Sequence, residues 1–330
     1  MHPACRLRRR SLGLLLVAML GTATDVRGDA TVEPLAVDVP GLGGLVLSVN
    51  GQTLYGLDER TGGIVAIDPL DPASHRMAIA VPEGGPRPVA IACIDTSTVV
   101  AICRAADDWS LRSWRVPPDG PADGANPLQT IALGTAAATG STALVSVSQS
   151  RNWLAVAGLP EPLEPIVRGV IAGVRIGGLT DRAVPDLADD RPLAMTTSPV
   201  EELVLGLRDR QGTGPVSLAF HGVTGRRLLR LDSGLDSITA LAFSGDGSSL
   251  WALGTAAAGT GLWRLDATLD GTRQVMRPTL VVPLESPRGL ACLGDKAVFV
   301  AHGPMPRRLS RISLRPTETP GRASPERNPR

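Results

Sequence analysis

One pattern of apolar and polar positions recurs six times along the chain: GLVLSVNGQTLYGL, VAIACIDTSTVVAI, ALVSVSQSRNWLAV, LAMTTSPVEELVLGL, ALAFSGDGSSLWAL and GLACLGDKAVFVA. Within each, Val, Ile and Leu alternate at period two, and Gly, Pro, Asn or Asp interrupts the run about every 8 to 12 residues. This is the signature of strands, not helices, and each segment reads as a hairpin. The first strand carries a small residue at a matched position every time, Ser48, Ala92, Ser146, Thr196, Ala242 and Ala291, at separations of 44, 54, 50, 46 and 49 residues. The second strand carries a large apolar residue at Tyr55, Val100, Leu154, Leu205, Trp251 and Phe299.

A third strand follows most hairpins (GIVAID, LRSWRV, VSLAF, GLWRLD, RLSRIS), and a fourth follows that (RMAIAV, LQTIAL, RRLLRL, RQVMRP). Four short strands per unit at this spacing predict an all-β, six-bladed β-propeller. Small residues on the first strands agree, because the innermost strands of all blades converge on one axis. The sixth unit has no fourth strand of its own. Leu35 to Val39 reads as the spare, an N-terminal strand that completes the last blade and leaves no long open edge. The expected organisation is a leader over 1–28, one propeller domain over 29–315, and a disordered Pro- and Arg-rich tail over 316–330.

The segments VVPLESPRGLACLGDKAVFVAHG, SITALAFSGDGSSLWALGTAAAGTGLWRLDATLDGT and TLYGLDERTGGIVAID resemble the repeat of bacterial YVTN-type propellers: a Pro-containing lead-in, an inner strand, an Asp-Gly turn and a second strand. The resemblance covers nearly all of the chain after its leader. It implies the fold and leaves the function open. Units three and four depart most, with GLPEPLEP inserted in one and TTSPVEE in place of the Asp-Gly turn in the other.

The leader is read from Arg6, Arg8, Arg9 and Arg10, the apolar run Leu12 to Leu20, and small residues permitting cleavage after Ala23 or Gly28, the layout of a secretory signal peptide. The run is about half of the roughly 20 residues that a spanning helix needs, so no permanent membrane span is expected. Export by the general or the twin-arginine route stays open. Of the 330 residues 43% are hydrophobic and the net charge is +1, which suits a large core. Losing residues 1–28 removes five Arg and one Asp, leaving the mature chain near −3, so a nucleic-acid partner is not expected. Cys93, Cys103 and Cys292 remain, an odd number at irregular spacing. That is no disulfide framework, and free thiols are expected, with Cys93 facing Val100 across a two-residue turn.

Candidate chemistry is sparse. Asp95, Asp246 and Asp295 fall at hairpin turns, where local hydrogen bonding favours Asp, and no set of oxygen ligands converges as a hard metal requires. No metal or other cofactor is assigned. His302 ends a second strand beside a Gly-Pro-Met-Pro-Arg-Arg loop and is the better functional candidate among the histidines. Trp114, Trp251 and Trp263 sit in alternating strands and read as packing. Trp109, preceded by Arg104 and Asp108, reads as a loop contact residue. Loops joining second to third and fourth to first strands share one face of a propeller, and there they carry Arg60, Arg87, Arg104, Arg208, Arg210, Arg288, Arg307 and Arg308. Guanidiniums around one mouth attract carboxylate or phosphate groups. In a chain whose only lysine is Lys296, such a rim also arises from composition.

The leading functional expectation is therefore an exported, monomeric, noncatalytic propeller that binds a partner protein or an anionic glycan or small molecule. Its contact residues are Arg104, Asp108, Trp109, Arg208, Arg210, His302 and Arg307. The alternative is a lactonase-like hydrolase or lyase with its site at the channel mouth.

Overall fold

The alternation becomes twenty-four strands among the described residues. The structure, a computed structural model, describes residues 30–116, 126–137, 142–163, 166–171, 175–177, 190–209, 211–212, 214–222, 227–270 and 273–314. The expected leader and tail lie outside them. No helix among the described residues is long and apolar enough to cross a membrane.

After β1 (Thr31–Leu35), the strands group in fours. The first sheet is β2 (Leu42–Leu47), β3 (Leu54–Asp58), β4 (Ile64–Ile67) and β5 (Arg76–Ile79). The second is β6 (Arg87–Cys93), β7 (Thr98–Ala105), β8 (Asp108–Arg115) and β9 (Gln129–Thr135). The third is β10 (Leu144–Val147), β11 (Trp153–Ala157), β12 (Ile166–Ile171) and β13 (Arg175–Gly177). The fourth is β14 (Asp190–Thr197), β15 (Leu203–Asp209), β16 (Ser217–His221) and β17 (Arg227–Asp232). The fifth is β18 (Ser237–Phe243), β19 (Leu250–Ala256), β20 (Gly259–Asp270) and β21 (Arg273–Pro283). The sixth comprises β22 (Gly289–Leu293), β23 (Ala297–His302) and β24 (Arg308–Ser313), with β1 hydrogen-bonded to β24. All neighbours are antiparallel, from Thr31 opposite Ser313 to Leu35 opposite Leu309 at this last pairing.

The first strands of successive sheets pack side by side, and β22 packs against β2. The core is accordingly divided among the interfaces between sheets. Leu42, Leu54 and Ile67 of the first sheet bury against Phe299, Ala301 and Leu309 of the sixth. Ile64 and Tyr55 meet Val99, Cys103 and Trp114 of the second. Further clusters join second to third, third to fourth, fourth to fifth and fifth to sixth. Trp114, Trp251 and Trp263 are all buried in these interfaces, as packing residues should be.

Two sequence expectations shift. The N-terminal strand lies four residues earlier than Leu35 to Val39. The amide of Val37 turns back to the carbonyl of Leu35, and Val39 leaves the ladder to bury in the cluster between first and sixth sheets. In the second sheet Cys93 faces Val99, not Val100. The turn there is longer than two residues: the Ile94 amide bonds the Thr98 carbonyl, and Asp95 accepts from the amides of Ser97 and Thr98 inside it. Cys93, Cys103 and Cys292 are free.

The side chains of β1 are largely exposed, so its ladder is held mainly by backbone hydrogen bonds worth about 0.5–1.5 kcal/mol each. A chain beginning at Ala36 is expected to lose about 4 kcal/mol, a fall in melting temperature on the order of 10 °C, and to self-associate through the bared edge of β24. Calorimetry with size-exclusion chromatography checks this; an unchanged melting temperature in an unchanged monomer contradicts it.

Candidate functional site

Antiparallel order within each sheet puts the starts of the first strands and the turns between second and third strands on one side, here the upper face. The hairpins between first and second strands lie on the lower face. A cavity of about 890 Å³ runs between the six first strands. Its wall offers Val46, Ala90, Ala92, Ala240 and Leu290 on one part and the hydroxyls of Ser146, Thr196, Thr197 and Thr239 on another; Ser146 and Thr197 hydrogen-bond each other at 2.8 Å. Among the described residues charge enters only at the ends, from Glu59, Arg288 and Arg151. Among the described residues no three His, Cys, Asp or Glu side chains come together as a metal site.

Two lower-face carboxylates, Asp95 and Asp246, are engaged in their own turns. Burial works against the charge on Asp95, but hydrogen bonds from Ser97 and Thr98 outweigh it and hold the carboxyl below its usual range. The same balance, with Ser244 and Ser248 as donors, lowers Asp246. Glu201 closes a turn from the neighbouring sheet, accepting from the Ser150 amide at 2.6 Å and from Trp153 Nε1 at 2.9 Å. Burial pushes the Cys292 thiol, at the cavity wall, up to about 12, which leaves it protonated and unreactive at neutral pH.

The residues expected to make contacts are scattered over several roles. Arg104 is exposed and lies over the Trp109 ring, 5.9 Å from its centre. Asp108 is exposed and accepts from the Thr135 hydroxyl at 2.8 Å. Trp109 is no loop residue: the β7–β8 turn is only two residues long, so the indole falls within β8, 3% exposed, donating to the Ala136 carbonyl at 2.8 Å. Arg208 is half-buried and donates to the Asp236 carbonyl. Arg210 lies outside the described residues. Arg307 is in an upper-face turn but is not exposed there. Its side chain is 7% exposed and pairs with Glu59 at 2.8 Å and the Leu42 carbonyl at 3.1 Å, tying the sixth sheet to the first. His302 is half-buried, its Nε2 2.9 Å from the buried Ser310 hydroxyl. Burial first, and Arg308 beside it, lower its pKa from 6.5 against a smaller opposing pull from Glu285.

Exposed on the upper face are Arg60, Arg87, Arg104, Arg191, Arg288 and Arg308. Arg191 escaped the sequence reading, although Arg191-Pro192-Leu193-Ala194 repeats Arg87-Pro88-Val89-Ala90. Glu59 and Asp190 on this face are neutralised by Arg307 and Arg230, the second pair at 2.6 Å. Glu83, Asp107, Asp236 and Glu285 remain exposed there.

The structure is similar to the propeller domain of Cps50 (Swd1) from Myceliophteria thermophila, with a TM-score of 0.55 and 10% identity over 86% of this chain and 100% of that one. A gluconolactonase from Xanthomonas campestris gives 0.55 and 15% over 87% and 91%, and a glucose dehydrogenase 0.54 and 14% over 86% and 100%. The fold is a β-propeller. It is the fold that the repeat resemblance implied, built of four-stranded blades, and identities this low speak for the fold alone. The sequence matches no protein-family model and no curated protein.

Two substitutions probe these assignments. Because His302 binds its proton less readily folded than unfolded, the neutral ring contributes stability above pH 6.5 that is lost as pH falls through its lowered folded pKa. His302→Gln should therefore show a smaller drop in melting temperature between pH 7 and pH 5 than the parent chain; an identical drop counts against the assignment. Arg307→Ala should cost about 2 kcal/mol, roughly 5 °C in melting temperature, by leaving the Leu42 carbonyl unpaired. A variant that melts like the parent would mean the bridge contributes nothing.

Proposed function

We propose that this chain is an exported, noncatalytic propeller, a ring of six blades closed by its N-terminal strand, whose upper face holds an acidic ligand or partner. The observation that carries the reading is the set of six exposed arginines that four blades supply around the upper opening, against a lower face whose carboxylates Asp95 and Asp246 are spent on turns. Loops on a rigid ring present such groups without any catalytic constellation. Export rests on the arginines and apolar run of residues 1–28.

The test is capture of immobilised poly-glutamate by the mature protein in low salt. Charge reversal at Arg104 and Arg288 should weaken capture at least 10-fold, roughly the effect of 1.4 kcal/mol, and added salt should weaken it in the parent chain. Reversal at Arg151, on the lower mouth, should leave it intact. Equal loss from both faces would remove the support for an upper-face site.

A further inference from the structure

We propose that the central channel is a binding site for a neutral polyhydroxy compound, a monosaccharide or cyclic polyol, held by hydroxyls and open backbone groups of the first strands. The site is separate from the upper-face arginines and goes beyond the acidic-ligand reading; it takes from that reading only the ring of six blades.

Each first strand is an edge strand, hydrogen-bonded only to the second strand of its own sheet. In five of the six, the amides of Ser48, Ile94, Ser148, Ser198 and Ser244 donate across that pairing to the carbonyls of Thr53, Thr98, Trp153, Glu202 and Ser249. The register is regular here, the bulges at Val89, Leu193 and Thr239 lying nearer the upper face. Backbone groups point alternately to the two sides of a strand. The preceding residues, Leu47, Cys93, Val147, Thr197 and Phe243, therefore turn amide and carbonyl away from their sheets, toward the channel that they line. Those groups have no backbone partner among the described residues, so they need one from water or a ligand. The middle of the channel thus offers donors and acceptors in equal number and no charge.

Side chains give the wall two unlike sides. One level of it is Val46, Ala92, Ser146, Thr196, Ala242 and Ala291, aligned by their cross-strand partners Tyr55, Val100, Ala155, Val204, Trp251 and Phe299. Its two hydroxyls come from neighbouring blades, three and four, and Thr197 adds a third, 2.8 Å from that of Ser146. Thr196 is half-buried, and its hydroxyl makes no hydrogen bond among the described residues. In a ring of six, blades six and one stand opposite, with the methyl groups of Ala291 and Val46. A sugar ring matches such a wall, since each of its hydroxyls both gives and accepts a hydrogen bond while its C–H groups suit the methyl side. An ion does not: among the described residues charged side chains line the cavity only at its ends, and a charge held midway is left unpaired. The volume of about 890 Å³ falls within the range of small-molecule sites.

Calorimetric titration and saturation-transfer NMR of the mature protein with D-glucose, D-galactose, D-mannose and myo-inositol, each alone, test this. At least one should bind saturably, and Ser146→Ala and Thr196→Val, which remove a hydroxyl and keep the shape of the wall, should each weaken it about 5-fold or more while melting like the parent. D-glucuronate, a sugar ring that carries a carboxylate, should bind at least about 10-fold more weakly than the best neutral probe, the effect of 1.4 kcal/mol. In the parent chain, nuclear Overhauser contacts should run from the bound ring to the methyl groups of Thr196 and Ala291, a readout that needs no variant. No saturable binding of any of the four, binding untouched by both substitutions, glucuronate bound as tightly, or contacts to the outer surface instead would each overturn the channel site. Sugar binding without poly-glutamate capture would keep the channel site and end the upper-face reading. Capture lost on reversal at Arg104 and Arg288, with no sugar bound by the parent, would do the opposite.

Discussion

Everything in this molecule depends on the burial of each sheet against both of its neighbours. The second strands are buried along almost their whole length on both faces, as in Leu54 to Asp58, Trp153 to Ala157 and Leu203 to Leu207. A four-stranded sheet with two apolar faces has nowhere to put them except between two others. Phe299 and Leu54, both fully buried, meet at the contact between sixth and first sheets, each worth about 1.5–3 kcal/mol against exposure. The contact that joins the two ends of the chain is thus no weaker in kind than the rest. Arg307 adds a polar tie at the same seam, reaching the Leu42 carbonyl and Glu59.

The same convergence sets what the centre can do. First strands crowd one another: a Cβ on Gly289 would run into the Gly43 carbonyl, and one on Gly245 would stand 2.8 Å from the Gly294 Cα. Short side chains are forced on the inner wall, and with them methyl and hydroxyl groups. Long charged side chains find room only where the strands begin and end. Charge is thereby displaced from the channel to its rim, and the upper rim, where second and third strands turn, exposes Arg60, Arg87, Arg104, Arg191, Arg288 and Arg308.

What the sequence discloses divides along this line between local and distant causes. The hairpins, the third and fourth strands and the turn roles of Asp95 and Asp246 follow from periodicity and from hydrogen bonds spanning two or three residues, and they were legible. Trp109 was not, because a two-residue turn and a longer loop give the same string of charged residues, and only the pairing of Arg104 with Trp109 distinguishes them. Arg307 was not, because its carbonyl partner is 265 residues away. Cys93 slipped by one position because an Asp-closed turn admits an extra residue. Arg191 was within reach: its Arg-Pro-x-Ala start copies that of Arg87, and an alignment of the repeats on the bulge, not on the hairpin turn, brings the two together.

The charges of the upper face limit the kind of recognition that the proposed function would require of it. Glu83, Asp107, Asp236 and Glu285 stand among the arginines, so their fields cancel beyond the roughly 8 Å over which exposed charges act at physiological salt. Long-range attraction is not the resource of such a surface. What survives cancellation is local: single guanidiniums fixed in place, as Arg104 is over Trp109 and Arg208 is on the Asp236 carbonyl. A surface of this kind would discriminate by the position of a ligand's anionic groups more than by their number, because a charge placed between the fixed arginines finds carboxylates and arginines in near balance.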